Sequence, residues 1–515
     1  MSNKIYPIGI QNFESLRQDG YFYIDKTALM YQMVKTGSYY FLSRPRRFGK
    51  SLLISTLEAY FQGKKELFTG LAVEKLEKDW IKYPILHLDL NIEKYDTPES
   101  LDKILNDNLE HWESLYGTRP SEVSFSLRFA GIIQRAYEQT GQRVVILVDE
   151  YDKPMLQAIG NEELQKQFRN TLKPFYGALK TKDGYIKFAL LTGVTKFGKV
   201  SVFSDLNNLD DISMWNEYVE ICGVSEREIH ENLEAELHEF AAARGITYDK
   251  LCEDLRECYD GYHFNFNTPG IYNPFSLLNA FDMNDIRDYW FASGTPTYLI
   301  KLLRHNHEQM DELTGRYYDP SMFVDYKADV EKPLPMIYQS GYLTIKEYDS
   351  RRNRYLLDFP NNEVKKGFLT MVAANYFKPQ EFEVSNWIVD AVILLEEGET
   401  TAFCSALTSF LADIPYDSHG SIKTVEATEK HFQYTFYLIL RLLGVYCLLH
   451  VEKTQSRGRV DCVLETKDYV YIFEFKLDGT AAEALQQIED KGYATPYQTD
   501  TRKVTAIGVS FSSET

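Results

Sequence analysis

Residues 39–51 read Tyr39-Tyr40-Phe41-Leu42-Ser43-Arg44-Pro45-Arg46-Arg47-Phe48-Gly49-Lys50-Ser51, and the fold turns on this stretch. The apolar run Tyr39 to Ser43 has strand character. After a basic turn, Ser51 to Phe61 places Leu53, Leu57, Tyr60 and Phe61 on one helical stripe. Strand, Gly-Lys-Ser turn and helix, in that order, turn backbone N–H groups toward a phosphate. A lysine then reaches its outer oxygens and a hydroxyl meets Mg²⁺. Gly49, Lys50 and Ser51 satisfy the end of the pattern G-x-x-x-x-G-K-[ST], and Arg47 in the turn joins them as a candidate nucleotide contact. Arg44 stands where the first glycine would, so the match is partial and draws its weight from the flanking strand and helix.

Working outward, further strands are expected at Ile85 to Leu90, Val144 to Val148 and Lys187 to Thr192, with helical segments such as Glu122 to Gln139 between them. That alternation, sustained to about residue 225, predicts a parallel α/β sheet. Val144-Val145-Ile146-Leu147-Val148 runs into Asp149-Glu150. A carboxylate at the end of a parallel strand beside a phosphate loop can hold Mg²⁺ through water, and a second can polarise the attacking water. Asp149 suits the first task and Glu150 the second. The plain alternative is two acids ending a buried strand at a solvated loop. Thr192, at the end of the next strand, is a candidate sensor of the γ-phosphate.

A chain of 515 residues exceeds what one hydrophobic core supports, and cores stop growing at roughly 250–300 residues. Three regions are expected: 1–225 as the phosphate-binding domain, 226–420 as a mainly helical lid or connector, and 421–515 as a compact α/β unit. In the middle region, Glu226 to Arg244, Pro296 to Arg304 and Asn361 to Tyr376 are expected as helices, with a small strand pair near Ile337 to Ile345. The last region reads as a helix from Glu426 to Leu443, strands Val460 to Leu464 and Tyr469 to Lys476, a helix Ala481 to Lys491, and a strand Val504 to Ser510.

The net charge of −19 argues against a sequence-independent DNA binder, so any nucleic-acid contact must be local; basic clusters stand at Arg44, Arg46, Arg47 and Lys50 and at Lys453, Arg457 and Arg459, with solvated surface as the plain alternative. No signal peptide and no run of about 18 apolar residues is present. The six cysteines show no C-x-x-C pair. These features predict a soluble, cytoplasmic protein with no membrane contact.

In the last region Asp461 precedes Glu474-Phe475-Lys476 on the next strand. Alternation puts Val470, Ile472, Glu474 and Lys476 on one face, and Tyr471, Phe473 and Phe475 on the other. Two carboxylates on adjacent strands, with the Phe475 carbonyl, can bind Mg²⁺, and the neighbouring lysine can orient or deprotonate water for attack on a phosphodiester. Glu429 on the preceding helix is a further candidate ligand, and Gln486 or Gln487 can hold the water or backbone. A surface Glu–Lys pair is the alternative.

With these motifs quoted, two resemblances follow. Pro7-Ile8-Gly9 with Asn12-Phe13, Tyr23-Ile24-Asp25-Lys26-Thr27, Arg44 to Ser51, Asp149-Glu150-Tyr151-Asp152-Lys153-Pro154 and Leu191-Thr192-Gly193-Val194 resemble the AAA-ATPase-like family, whose members share the non-glycine start of the loop. The resemblance implies an AAA+-like fold and ATP binding. Gly458-Arg459-Val460-Asp461, Ile472 to Lys476 and Ala484-Leu485-Gln486-Gln487-Ile488 with Tyr493 resemble the PD-(D/E)XK nuclease superfamily, in the form fused behind AAA-ATPase-like domains. That resemblance implies a restriction-endonuclease-like α/β domain, with Asp461 and Glu474 as metal ligands and Lys476 as the catalytic lysine. Glu429 matches the helix acid loosely, and the proline that names the motif is absent before Asp461.

Three functions are compatible with these residues. One is an ATP-regulated, Mg²⁺-dependent DNA nuclease acting on foreign or mobile DNA. A second is a nucleotide-switched interaction protein whose nuclease-like domain binds without cutting. A third is an ATPase remodeller in which Glu474 and Lys476 are a surface pair. Homo-oligomers are expected where AAA-type sites borrow an arginine from a neighbour.

Overall fold

The computed structural model describes residues 4–196, 208–292, 299, 313–324, 333–377, 381–412, 436, 438–455 and 458–511. The chain divides into two compact units. The first comprises Met1–Asn306 with Glu312–Val364, and the second comprises His307–Asp311 with Lys365–Thr515.

The first unit is built on strands β1 (Tyr39–Ser43), β2 (Ile85–Asp89), β3 (Val144–Asp149), β4 (Ile186–Gly193) and β5 (Asp210–Asp211), all parallel, in the order β2-β3-β4-β1-β5. Every residue of β3 is buried, which is why its sequence is a continuous apolar run rather than an alternating one. Each fully buried aliphatic side chain there contributes on the order of 1.5–3 kcal/mol. That burial fixes the strand end at which Asp149 sits.

Helix α1 (Lys50–Phe61) packs on β3 and β4 from one face, with Phe61 against Phe188 at 5.3 Å between ring centroids. Helices α2 (Pro98–Tyr116), α3 (Phe125–Thr140) and α4 (Glu162–Thr181) cover the other face, sharing a core with Leu86, Ile146 and Leu191. Ser124 caps α3 by accepting the Leu127 N–H, and Gly141 ends it in a left-handed turn. Because β4 lies between β1 and β3, the chain leaving β1 and the chain leaving β3 part at the same sheet edge. A cleft opens there.

Helices α5 (Glu226–Arg244), α6 (Tyr248–Tyr259) and α7 (Pro274–Met283) form a second core, with Leu237, Phe240, Leu255 and Phe281 at its centre. Ser225 and Glu228 make a reciprocal capping box at the start of α5. The strand pair expected near Ile337 to Ile345 is displaced. Leu334–Gln339 is helical, because Pro333 and Pro335 preset helical φ at its start. The strands are β6 (Arg316–Tyr318), β7 (Thr344–Asp349) and β8 (Arg354–Asp358), in antiparallel order β6-β8-β7. The helix expected at Pro296 to Arg304 lies outside the described residues, Leu299 apart.

The second unit carries a four-stranded sheet of β9 (Leu448–Gln455), β10 (Gly458–Glu465), β11 (Tyr469–Leu477) and β12 (Lys503–Phe511) in that order. The first two pairings are antiparallel, and β11–β12 is parallel, joined through α8 (Ala481–Lys491). β9 is a strand that the local sequence pattern does not announce. Its polar half, Glu452-Lys453-Thr454-Gln455, suits a sheet edge and lacks the alternation that marks a half-buried strand. Residues 438–443 are helical, as expected, while most of the helix expected from Glu426 lies outside the described residues.

Candidate functional site

The loop read as phosphate-binding follows β1 and is shaped by two left-handed residues, Arg47 at φ 68° and Gly49 at φ 90°. Glycine takes that conformation freely, whereas arginine adopts it at a cost of about 1–2 kcal/mol. Arg44 is not part of a surface basic cluster: it is buried, with 1% of its surface exposed. Its guanidinium donates to the carbonyls of Ser43 (2.9 Å), Ser213 (2.8 Å) and Tyr218 (3.1 Å) and lies 3.8 Å from the Phe264 ring centroid. Burial lowers its pKa to about 10. A glycine-free loop start is thus held by a side chain tied to backbone carbonyls.

Lys50 opens α1 and is buried; its Nζ donates to the carbonyls of Arg44 (3.2 Å) and Pro45 (3.4 Å) and lies 3.4 Å from Glu150 Oε1. Glu150 is a second non-glycine in the left-handed region, at φ 51°. Strained residues held in such conformations gather at ligand sites. Asp149 and Thr192 are both buried, and Thr192 Oγ1 donates to Asp149 Oδ1 at 2.6 Å. The Glu150 N–H donates to the same oxygen at 3.0 Å.

Lys50 and Glu150 border a cavity of about 770 Å³. Its walls include Arg46, Arg47, Gly49, Lys50, Ser51 and Glu150, with Ile8 and Phe275 elsewhere on its lining. Arg47 lies 4.9 Å from the Phe275 ring centroid. Asp149 and Thr192 do not line it; both are buried at the strand ends. The hard hydroxyl and carboxylate oxygens of Ser51 and Asp149 fit a Mg²⁺ that keeps most of its waters.

Asp152 has a place that sequence reasoning left unassigned. Its Oδ2 accepts from the N–H of Val194 (3.0 Å), the N–H of Thr195 (2.6 Å) and the Thr195 hydroxyl (2.8 Å), holding the chain that leaves β4. Burial, and then the Glu150 charge, raise its pKa to about 7. A Cβ on Gly193 would stand 2.5 Å from Asp152 Oδ1, so this contact requires the glycine. The signal was in Asp149-Glu150-Tyr151-Asp152, where a third acid follows the first two.

In the second unit the β10–β11 register pairs Cys462 with Phe473, and one step further sets Asp461 level with Glu474. Asp461 Oδ2 accepts the Phe475 N–H at 2.9 Å. On the same face α8 contributes Gln487, which donates to Glu474 Oε1 and accepts from Lys476 Nζ. Of the two glutamines considered, Gln487 therefore faces the site, while Gln486 pairs with Asp490 at 2.9 Å. Glu474 is 2% exposed, and its Oε2 is buried without a hydrogen-bond partner. Burial, and then Asp461, push its pKa up to about 7. Val470 and Ile472 share this face with Ile488, whereas the Tyr471 hydroxyl bonds the Leu395 carbonyl on the other.

An orphaned carboxylate oxygen beside a second carboxylate is the donor set a divalent cation fits. Among the described residues no group of three or more His, Cys, Asp or Glu gathers for a metal, so Asp461 and Glu474 stand as a pair. Glu429 lies outside the described residues, as do the side chains of Lys453, Arg457 and Arg459. All six cysteines are free, and no described helix is long and apolar enough to cross a membrane.

A parallel sheet with a Gly-Lys-Ser loop after β1 and paired acids at the end of β3, followed later in the chain by a mixed sheet carrying Asp461, Glu474 and Lys476, is the arrangement of an AAA-ATPase-like module and a nuclease-like module in that order. The profile of the family described as "Predicted AAA-ATPase" matches residues 7–203, and that of the "PD-(D/E)XK nuclease superfamily" matches residues 427–515. The chain therefore belongs to the AAA-ATPase-like family, with a PD-(D/E)XK nuclease superfamily domain after the ATPase-like one. It is similar to the "Uncharacterized protein in vnfD 5'region" of Azotobacter chroococcum mcd 1. The two are 34% identical over 520 residues, spanning 100% of this chain and 98% of the relative.

Proposed function

We propose that the first unit binds and hydrolyses ATP with Mg²⁺, that the second cleaves DNA phosphodiesters with a divalent cation, and that the ATP cycle controls the cleavage, with foreign or mobile DNA as the target in the cytoplasm. The observation that carries this reading is the buried, unpartnered Glu474 Oε2 beside Asp461, with Lys476 joined to the same glutamine. A surface ion pair would have no reason to bury a carboxylate at such cost.

In the first unit, Lys50 and the N–H groups of the loop bind the outer phosphates, with Ser51 and Asp149 as the Mg²⁺-side oxygens. Glu150 takes a proton from water as the water oxygen bonds to the terminal phosphorus. The bond to the bridging oxygen breaks and ADP leaves. In the second unit, Asp461, Glu474 and the Phe475 carbonyl would hold the cation, which when bound supplies Lewis-acid stabilisation of the phosphodiester. Lys476, aimed by Gln487, orients the attacking water.

The test is cleavage of supercoiled plasmid with Mg²⁺ or Mn²⁺, with and without ATP, beside a Lys476→Ala variant. Metal-dependent nicking that the variant lacks supports the reading, and ATP dependence supports control by the first unit. Absence of cleavage under every nucleotide condition favours a nucleotide-switched protein that binds without cutting. The net charge of −19, which repels DNA outside a local basic surface, favours that second reading.

A further inference from the structure

The cavity beside the phosphate loop holds more positive charge than the roles above employ. Lys94 is paired with Asp96 at 2.6 Å, Lys50 faces Glu150, and Arg47 lies over Phe275. Arg46 and Lys153 remain, and both line the cavity. Arg46 is exposed, and the Trp290 indole N–H holds its carbonyl at 3.1 Å. The backbone is thus anchored where the residue lines the cavity. Among the described residues it forms no ion pair.

Lys153 reaches the same cavity from another element, three residues after Glu150, and its N–H donates to the Glu150 carbonyl at 3.0 Å. Its ammonium donates to the carbonyl (2.7 Å) and side-chain oxygen (2.6 Å) of Asn91, both neutral acceptors. Its pKa is lowered, first by burial, while the charges of Glu150 and Asp89 act against the shift and that of Arg46 adds to it. Arg46 and Lys153 line one cavity, and among the described residues neither forms an ion pair, an arrangement that favours an anion between them.

The same geometry locates the outer end of that anion. Lys50 Nζ, the group that reaches outermost phosphates, sits at the carbonyls of Arg44 and Pro45, so this end lies where Arg46 leaves the loop. Glu150, 3.4 Å from Lys50, adjoins the same place.

We propose that Arg46 and Lys153 contact the third phosphate of a nucleoside triphosphate, so that a single chain, without a neighbouring subunit, carries the cations that distinguish triphosphate from diphosphate. This rests on the ATP reading given above. In hydrolysis, the bond from the water oxygen to the terminal phosphorus forms while the bond to the bridging oxygen breaks, and the water proton passes to Glu150. Negative charge moves to the bridging oxygen of the departing diphosphate, and both cations stabilise the phosphoryl oxygens meanwhile.

Calorimetric titration of the full chain with Mg²⁺-ATP and Mg²⁺-ADP tests this, using the unaltered protein, Arg46→Gln, Lys153→Gln and Lys50→Ala. Glutamine at 153 keeps a donor for Asn91 while removing the charge. Each glutamine variant is expected to lose about 10-fold or more in ATP affinity while ADP affinity stays within about twofold. Variants that bind ATP as the unaltered chain does, or that lose ATP and ADP in equal measure, overturn the proposal while leaving the ATP reading intact. A preference for ATP seen only at concentrations where sedimentation shows self-association overturns its single-chain part. An unaltered chain that binds neither nucleotide, and that Lys50→Ala leaves unchanged, removes the ATP reading and this proposal with it.

Discussion

Thr192 donates its hydroxyl to Asp149 Oδ1 across 2.6 Å inside the sheet edge, and the two side chains are among the most buried polar groups of the first unit. The contact joins adjacent strands β3 and β4 and fixes the carboxylate. Thr192→Val leaves that oxygen one donor short, so stability is expected to fall by about 1–3 kcal/mol. ATP turnover should fall while ATP binding persists, and Thr192→Ser should restore both. Thermal unfolding and steady-state hydrolysis measured on the same preparations check this.

Arg44→Gly would supply the glycine that the loop pattern asks for, yet it is expected to damage the protein. It removes donors to the carbonyls of Ser43, Ser213 and Tyr218 and the contact with Phe264. The expected loss is on the order of 3 kcal/mol or more, with nucleotide affinity lost as the loop loosens. Denaturant unfolding of the variant would show it, and unchanged stability would refute the anchoring role.

Glu363 is buried, accepts from Ser276 Oγ at 2.8 Å and the Trp290 N–H at 2.6 Å, and has its pKa raised from 4.5 to about 8 by burial. An acid raised in this way is held protonated by the fold. Between the two values the folded chain binds more protons than the unfolded chain, and stability falls as pH rises through that window. The slope reaches roughly 1.4 kcal/mol per pH unit. Glu363→Gln, whose amide can donate to Ser276 and accept from Trp290, should flatten the dependence, as measured by urea unfolding across that window.

Gly508 faces Glu474 across the parallel β11–β12 pair, and a Cβ there would stand 2.3 Å from the Ala481 carbonyl. Gly508→Ala is therefore expected to push α8 off the sheet, cost about 1–3 kcal/mol and withdraw Gln487 from Glu474 and Lys476. Metal-dependent plasmid cleavage should fall further than in Gln486→Ala, which alters only the helix surface. Equal activities in the two variants would argue against the positioning of Gln487.

The strands at Tyr39, Val144 and Ile186 are legible in the sequence because a parallel strand buried on both faces must be apolar throughout. β5 is not, since Asp210–Asp211 is two residues long and carries no period. The meeting of Lys50, Asp149, Glu150 and Thr192 at one edge follows from strand ends that all point the same way. Arg44 shows the limit of such reading: its partner Ser213 lies 169 residues along the chain, and nothing local distinguishes an anchoring arginine from a solvated one. Lys153 and Gln487 are likewise ordinary helix residues until the sheet edge or face opposite them is known.

The division of the chain near Val364 also sets an order of birth. Synthesis runs from the amino end, and domains generally fold as they emerge. Nearly all of the first unit is therefore outside the ribosome before Asp461 and Glu474 have been translated. The carboxylate pair proposed to hold the cation for phosphodiester cleavage is completed only after the unit proposed to control it can have folded, so a chain cut short by premature termination would keep the Gly-Lys-Ser loop and lack the proposed cleavage centre.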